Sequence, residues 1–104
     1  GDSTSTRPFV DYIPYSIAKA GLRTMTVGLA KALAPEVRVN LIEPGPVMFP
    51  EGFPDAQKQD VLDATLLKRL VRVEDIVRAV IYLATARSVT GEFHAVDVGT
   101  IHRV

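Results

Sequence analysis

Cysteine is absent from the 104 residues. That removes disulfides and thiolate metal sites, and it makes a reducing cytoplasm the expected setting. An excess of either charge is absent too, since 12 basic and 12 acidic residues cancel. Such a chain is not expected to bind nucleic acid or an anionic membrane surface, although a local basic pocket for one phosphate stays compatible with it. No apolar run approaches the roughly 20 residues needed to cross a bilayer, so no membrane span is expected. The polar opening Gly-Asp-Ser-Thr-Ser-Thr-Arg-Pro carries neither a signal-peptide apolar region nor an initiator methionine. It fits processing, or a chain that begins inside a larger one. There is no internal repeat and no low-complexity tract. His94 and His102 lack acidic partners at ligand spacing, so no metal site is expected.

What is present is the balance of an ordinary globular protein, 47% apolar and 23% charged. The length suits one domain or part of one. The first eleven residues, with Pro8 among them, read as a loop. Residues 12–34 then read as a long helix, with Pro14 in its first turn. Ala18, Leu22, Met25, Leu29 and Leu33 have the spacing of a buried stripe, and Pro35 stops the helix. The β-branched run 37–42 predicts a strand that must leave its sheet at Glu43-Pro44-Gly45-Pro46. Residues 47–54 form a proline-rich loop with Met48, Phe49 and Phe53, unusually apolar for a loop unless it covers something. Helices are expected over 55–67 and 74–86, the second with Ile76, Val77, Val80, Ile81 and Leu83 on one side. A Thr90-Gly91 turn leads into a strand over 92–98. This order predicts α/β architecture with a parallel sheet. Two strands are too few for a stable sheet of that kind, so the domain reads as incomplete.

Tyr15 and Lys19 stand four residues apart on the first helix, and residues at that separation share a helix face. A cation beside a phenol favours the ionised form, drawing its pKa down from about 10. A phenol tuned in this way can act as a general acid or base. Taken alone, the same pair also fits a solvated lysine whose stem packs on an exposed tyrosine. Glu36, Lys58 and Lys68 read as solvated charges.

The pair does not stand alone. Tyr15-Ser16-Ile17-Ala18-Lys19 is followed in order by Arg38-Val39-Asn40, Pro44-Gly45-Pro46-Val47, Arg72-Val73-Glu74-Asp75-Ile76, Thr90-Gly91-Glu92 and Val96-Asp97-Val98-Gly99. This series resembles the second half of the short-chain dehydrogenase/reductase family through nearly the whole chain. Asp2 occupies the position where that family usually has a serine, thirteen residues before the tyrosine. The aspartate, the segment 44–52 and Thr65-Leu66-Leu67-Lys68-Arg69 are similar to the pteridine reductase branch of the family.

The resemblance implies a fold and a set of roles. The chain is expected to be the C-terminal, catalytic and substrate-side portion (1–104) of one doubly wound, three-layer Rossmann-type domain, with its sheet incomplete. Tyr15 is implied as proton donor to a carbonyl or pteridine-like substrate that receives hydride from NADPH or NADH, with NADP favoured. Lys19 is implied to lower the Tyr15 pKa and to hold the nicotinamide ribose, and Asp2 to complete the catalytic triad. Pro44, Gly45 and Val47 are implied to meet the nicotinamide. A residue without a side chain suits Gly45, where backbone must come close to a flat ring. Met48, Phe49 and Phe53 are expected to face a small-molecule substrate as a lid. A homo-oligomer is expected to form through helix 12–34, where Ala20, Gly21, Thr24 and Gly28 allow close approach.

Two departures from the family pattern stand out. Val98 takes the first glycine of the usual Val-Asp-Gly-Gly ending, and Arg72-Val73 replaces a Gly-x-Pro lead-in to a helix. No G-x-G-x-x-G or related turn between strand and helix occurs in the chain. The dinucleotide-phosphate cradle is therefore expected in an N-terminal half that these residues lack, and the isolated polypeptide is expected to bind dinucleotide poorly and turn over little. A different function class, a non-catalytic remnant serving as a binding or oligomerisation module, fits the same helix. A Gly-rich turn upstream would favour the enzyme.

Overall fold

The computed structural model describes the backbone of residues 7–100 and the side chains of residues 17–100. Its elements follow in the order α1 (Arg7–Leu33), β1 (Leu41–Pro44), α2 (Asp55–Asp63), α3 (Val73–Thr85) and β2 (Phe93–Val96). The strands form one two-stranded sheet. Its ladder advances in the same sense along both strands, from Leu41 N–H on the Glu92 carbonyl (2.9 Å) to Gly45 N–H on the Val96 carbonyl (3.0 Å), so the pairing is parallel. Two compact units make up the chain: Gly1–Leu41 with Thr90–Glu92, and Ile42–Val89 with Phe93–Val104.

In the first unit, α1 begins at Arg7, not at residue 12. Pro8 is thereby a first-turn residue, where its missing N–H goes unmissed, and Pro14 lies within the helix, not at its start. The expected buried stripe is not buried. Leu22, Met25, Leu29 and Leu33 are all exposed, while Thr26 and Ala30 on the neighbouring flank are covered. The reason is supply. This unit holds only the helix, the segment that follows it and residues 90–92, and these cover one narrow flank of small side chains. Gly91 sits against Ala30, where a Cβ on the glycine would stand 3.8 Å from the alanine Cβ. Thr26 satisfies its hydroxyl locally by donating to the Leu22 carbonyl at 2.7 Å.

The strand expected over 37–42 starts later, at Leu41. Opposite residues 37–40 lies a turn, with Gly91 in the left-handed region at φ +73°. Side chains there stand in for ladder partners. Val39 N–H donates to Thr90 Oγ1 at 3.1 Å and Glu92 N–H to Asn40 Oδ1 at 3.0 Å.

In the second unit, α2 ends at Asp63, short of the expected Leu67. Its last carbonyls are taken by side chains: Thr65 Oγ1 donates to Leu62 (2.8 Å) and Lys68 Nζ to Asp63 (2.8 Å). Beyond it, the chain pairs with the C-terminal segment. Leu66 N–H donates to the Gly99 carbonyl at 2.6 Å and Leu67 N–H to the Val98 carbonyl at 3.0 Å. Lys68 is exposed, as expected of a solvated charge, and also serves as a helix-end donor. α3 starts with Glu74 and Asp75 in its first turn, where carboxylates complement the helix dipole. It buries Ala79 and Leu83, whereas Val77, Val80 and Ile81, read from sequence as sharing one side with Leu83, are exposed. Those two residues, with Val71, Val98 and the fully enclosed Thr65, form the core of this unit. β2 is shorter than the expected 92–98, because Val98 and Gly99 turn into the left-handed region (φ +53° and +68°).

Candidate active site

α1 carries Tyr15 and Lys19 one turn apart on a continuous helix. Lys19 is half-buried. The Tyr15 side chain and all of Asp2 lie outside the described residues. In the second unit, the remaining predicted residues come on one stretch of chain. It leaves β1 at Pro44 and reaches α2 through a loop.

The start of that stretch is held from two sides. Gly45 N–H donates to Val96 (3.0 Å), and the Pro46 carbonyl accepts from Val71 N–H (2.7 Å). Gly45 runs so close to β2's exit that a Cβ would meet Asp97 Cα and its carbonyl oxygen at 2.8 Å each. Close backbone approach was the expected reason for this glycine. The neighbour it approaches within the fold is the Asp97 backbone. Asp97, unassigned by sequence reasoning, shapes the turn beyond β2: its Oδ1 accepts from Gly99 N–H (3.0 Å) and its carbonyl from Thr100 Oγ1 (3.0 Å). An aspartate two residues before a glycine is the signal that could have found this turn.

Val47 is half-buried and Met48 is 79% exposed. Phe49 and Phe53 stack, with ring centroids 5.3 Å apart and an interplanar angle of 15°. The turn between them is closed by Phe53 N–H on the Pro50 carbonyl (3.0 Å), with Gly52 at φ +78°. Lys58, one turn into α2, places Nζ 5.7 Å from the Phe49 ring centroid and 3.2 Å from Asp55 Oδ1. It is thus not the solvated charge expected from sequence. His94 packs its ring 5.5 Å from that of Tyr82, and His102 lies outside the described residues. Among the described residues, no cluster of three histidine, cysteine, aspartate or glutamate side chains could hold a metal, and no helix is long and apolar enough to cross a membrane.

A parallel α/β pairing whose first strand ends in a Pro-Gly-Pro turn, after a helix bearing Tyr-x-x-x-Lys, defines a class. The family model described as enoyl-(acyl carrier protein) reductase matches residues 2–101, and the chain belongs to the short-chain dehydrogenase/reductase family. Within it, the chain is similar to dihydromonapterin reductase of Klebsiella pneumoniae, 44% identical over 88 residues. That match takes in 85% of this chain and 37% of the relative. It is also 36% identical over 88 residues to dihydromonapterin reductase of Escherichia coli O1:K1, again spanning 37% of the relative.

Among solved structures it is similar to FolM alternative dihydrofolate reductase 1 from Brucella canis complexed with NADP. There the TM-score is 0.70 at 34% identity, over 85% of this chain and 34% of that one. A putative short-chain dehydrogenase/reductase from Burkholderia xenovorans gives a TM-score of 0.69 at 31% identity, over 86% and 34% of the two chains. The chain has the Rossmann-type α/β fold of these proteins and spans about a third of their length.

Proposed function

We propose that the full-length protein containing this sequence is an NADPH-dependent reductase of pteridine-like substrates, and that this segment is the C-terminal portion of its single Rossmann-type domain. The observation that carries the reading is the 44% identity to a dihydromonapterin reductase across 85% of the chain. The NADP-complexed structural relatives favour NADPH over NADH.

The residues present fit a nicotinamide. In the second unit, Val47 offers main-chain donor and acceptor groups for a carboxamide; in the first, Lys19 offers ammonium donors for ribose hydroxyls. The bound cofactor supplies the hydride. Tyr15 would deliver its phenolic proton to the oxygen or nitrogen bonded to the carbon that receives the hydride, Lys19 would stabilise the phenolate left behind, and Asp2 would orient the substrate. Pro44, Gly45 and Val47, at the exit of β1, would hold the nicotinamide. Met48, Phe49 and Phe53 cover a flat ring. The exposed stripe Leu22, Met25, Leu29 and Leu33 supports subunit pairing through α1, because it leaves apolar area to bury.

The test is oxidation of NADPH, followed by its absorbance with the purified full-length protein, using a dihydropterin and a simple aliphatic ketone as alternative substrates. Turnover of the dihydropterin with a much higher kcat/KM is expected. Equal or exclusive turnover of the ketone contradicts the pteridine assignment.

A further inference from the structure

Lys58 was expected to be a surface charge. Its surroundings give it a second task. The loop before α2 turns at Pro50–Phe53, with Gly52 at φ +78° in the position where such turns favour glycine. That turn brings Phe53 back onto Phe49 in a near-parallel stack, 5.3 Å between centroids. α2 then starts at once, with Gln57 and Lys58 N–H groups both on the Pro54 carbonyl (3.0 and 3.1 Å). These bonds tie the first helical turn to the end of the loop. It sets the Lys58 ammonium 5.7 Å from the Phe49 ring centroid.

The competing partner is weak. Asp55 is 3.2 Å from Lys58 Nζ, but its side chain is 97% exposed against 39% for Lys58. An ion pair open to water on the carboxylate side contributes little. The ring contact is of similar size at a site this open, and the half-covered lysine stem adds packing against the loop.

We infer that Lys58 is a positioning residue of the substrate loop: its ammonium holds Phe49 in the stack with Phe53, so that the loop meets a flat substrate as a preformed aromatic wall. Ordering two phenyl side chains before binding removes an entropic cost that binding would otherwise carry. The benefit falls on affinity for planar substrates, and not on the proton or hydride transfer. The inference rests on the pteridine reading above for its substrate class, but the clamp itself does not.

Two measurements on the full-length protein test it. In the first, steady-state kinetics with NADPH and a dihydropterin compare wild type with Lys58→Met, which keeps the stem and loses the charge, and with Lys58→Arg. Lys58→Met should raise KM about two- to five-fold, with a smaller change in kcat, and Lys58→Arg should restore KM. In the second, NMR of the ligand-free protein should show the Lys58 ε-methylene protons shifted upfield by the Phe49 ring, and Phe49→Leu should abolish the shift. An unchanged KM in Lys58→Met, or no rescue by arginine, in an enzyme that does reduce the dihydropterin, overturns the positioning role and leaves the functional reading intact. If wild type fails to reduce any pterin, the functional reading fails instead. The upfield shift then decides the clamp, its presence supporting the preformed wall and its absence refuting it.

Discussion

Gly45 and Asp97 stand in backbone contact where the two strands end, so close that a single added methyl on Gly45 would lie 2.8 Å from the Asp97 Cα and carbonyl oxygen. The atoms in the way are main chain and cannot swing aside. Gly45 N–H is also tied to the Val96 carbonyl, which stops the turn from backing away.

Gly45→Ala should therefore destabilise the protein by about 1–3 kcal/mol, the usual range for overpacking. It should also weaken NADPH binding, because relief requires the 44–47 turn to move. Urea denaturation and an NADPH titration check both. A midpoint and affinity equal to wild type would show that the turn has slack.

Val98 is a β-branched residue at φ +53°, and it is buried. Left-handed backbone costs a non-glycine residue about 1–2 kcal/mol. Glycine escapes that cost, so the usual order of alanine over glycine should invert here. Val98→Gly is expected to be more stable than Val98→Ala by about 1 kcal/mol, read as the difference in urea midpoints. Alanine as the more stable variant would mean that the left-handed conformation is not held in solution. The valine side chain is one of the buried apolar groups of this unit, with Val71, Ala79 and Leu83.

Local signals were legible in the sequence and distant ones were not. The helix around Tyr15 and Lys19, the Pro-Gly exit of β1 and the Thr90-Gly91 turn each follow from nearest-neighbour chemistry. The end of α2 was misjudged because residues 65–67 pair with 98–100, and no periodicity announces a partner thirty residues away. The apolar stripe of α1 was recognised as apolar, but burial depends on what else is present to cover it. Among the described residues of α1, Thr26 and Ala30 are the ones fully covered. Lys58 looked solvated because its ring partner is not its i±4 neighbour on a helix but lies in the preceding loop, brought there by the turn at Gly52. The Tyr15–Lys19 pair was found by spacing, and its meaning came from the ordered motifs around it.

In the proposed reaction the Tyr15 hydroxyl gives up a proton during reduction. Tyr15→Phe removes that one oxygen and keeps the ring. In the full-length protein, single-turnover oxidation of bound NADPH by a dihydropterin should slow by about 10²–10⁴-fold, while the dissociation constant for NADPH stays within about two-fold of wild type. A variant that turns over at the wild-type rate would contradict the account at its root.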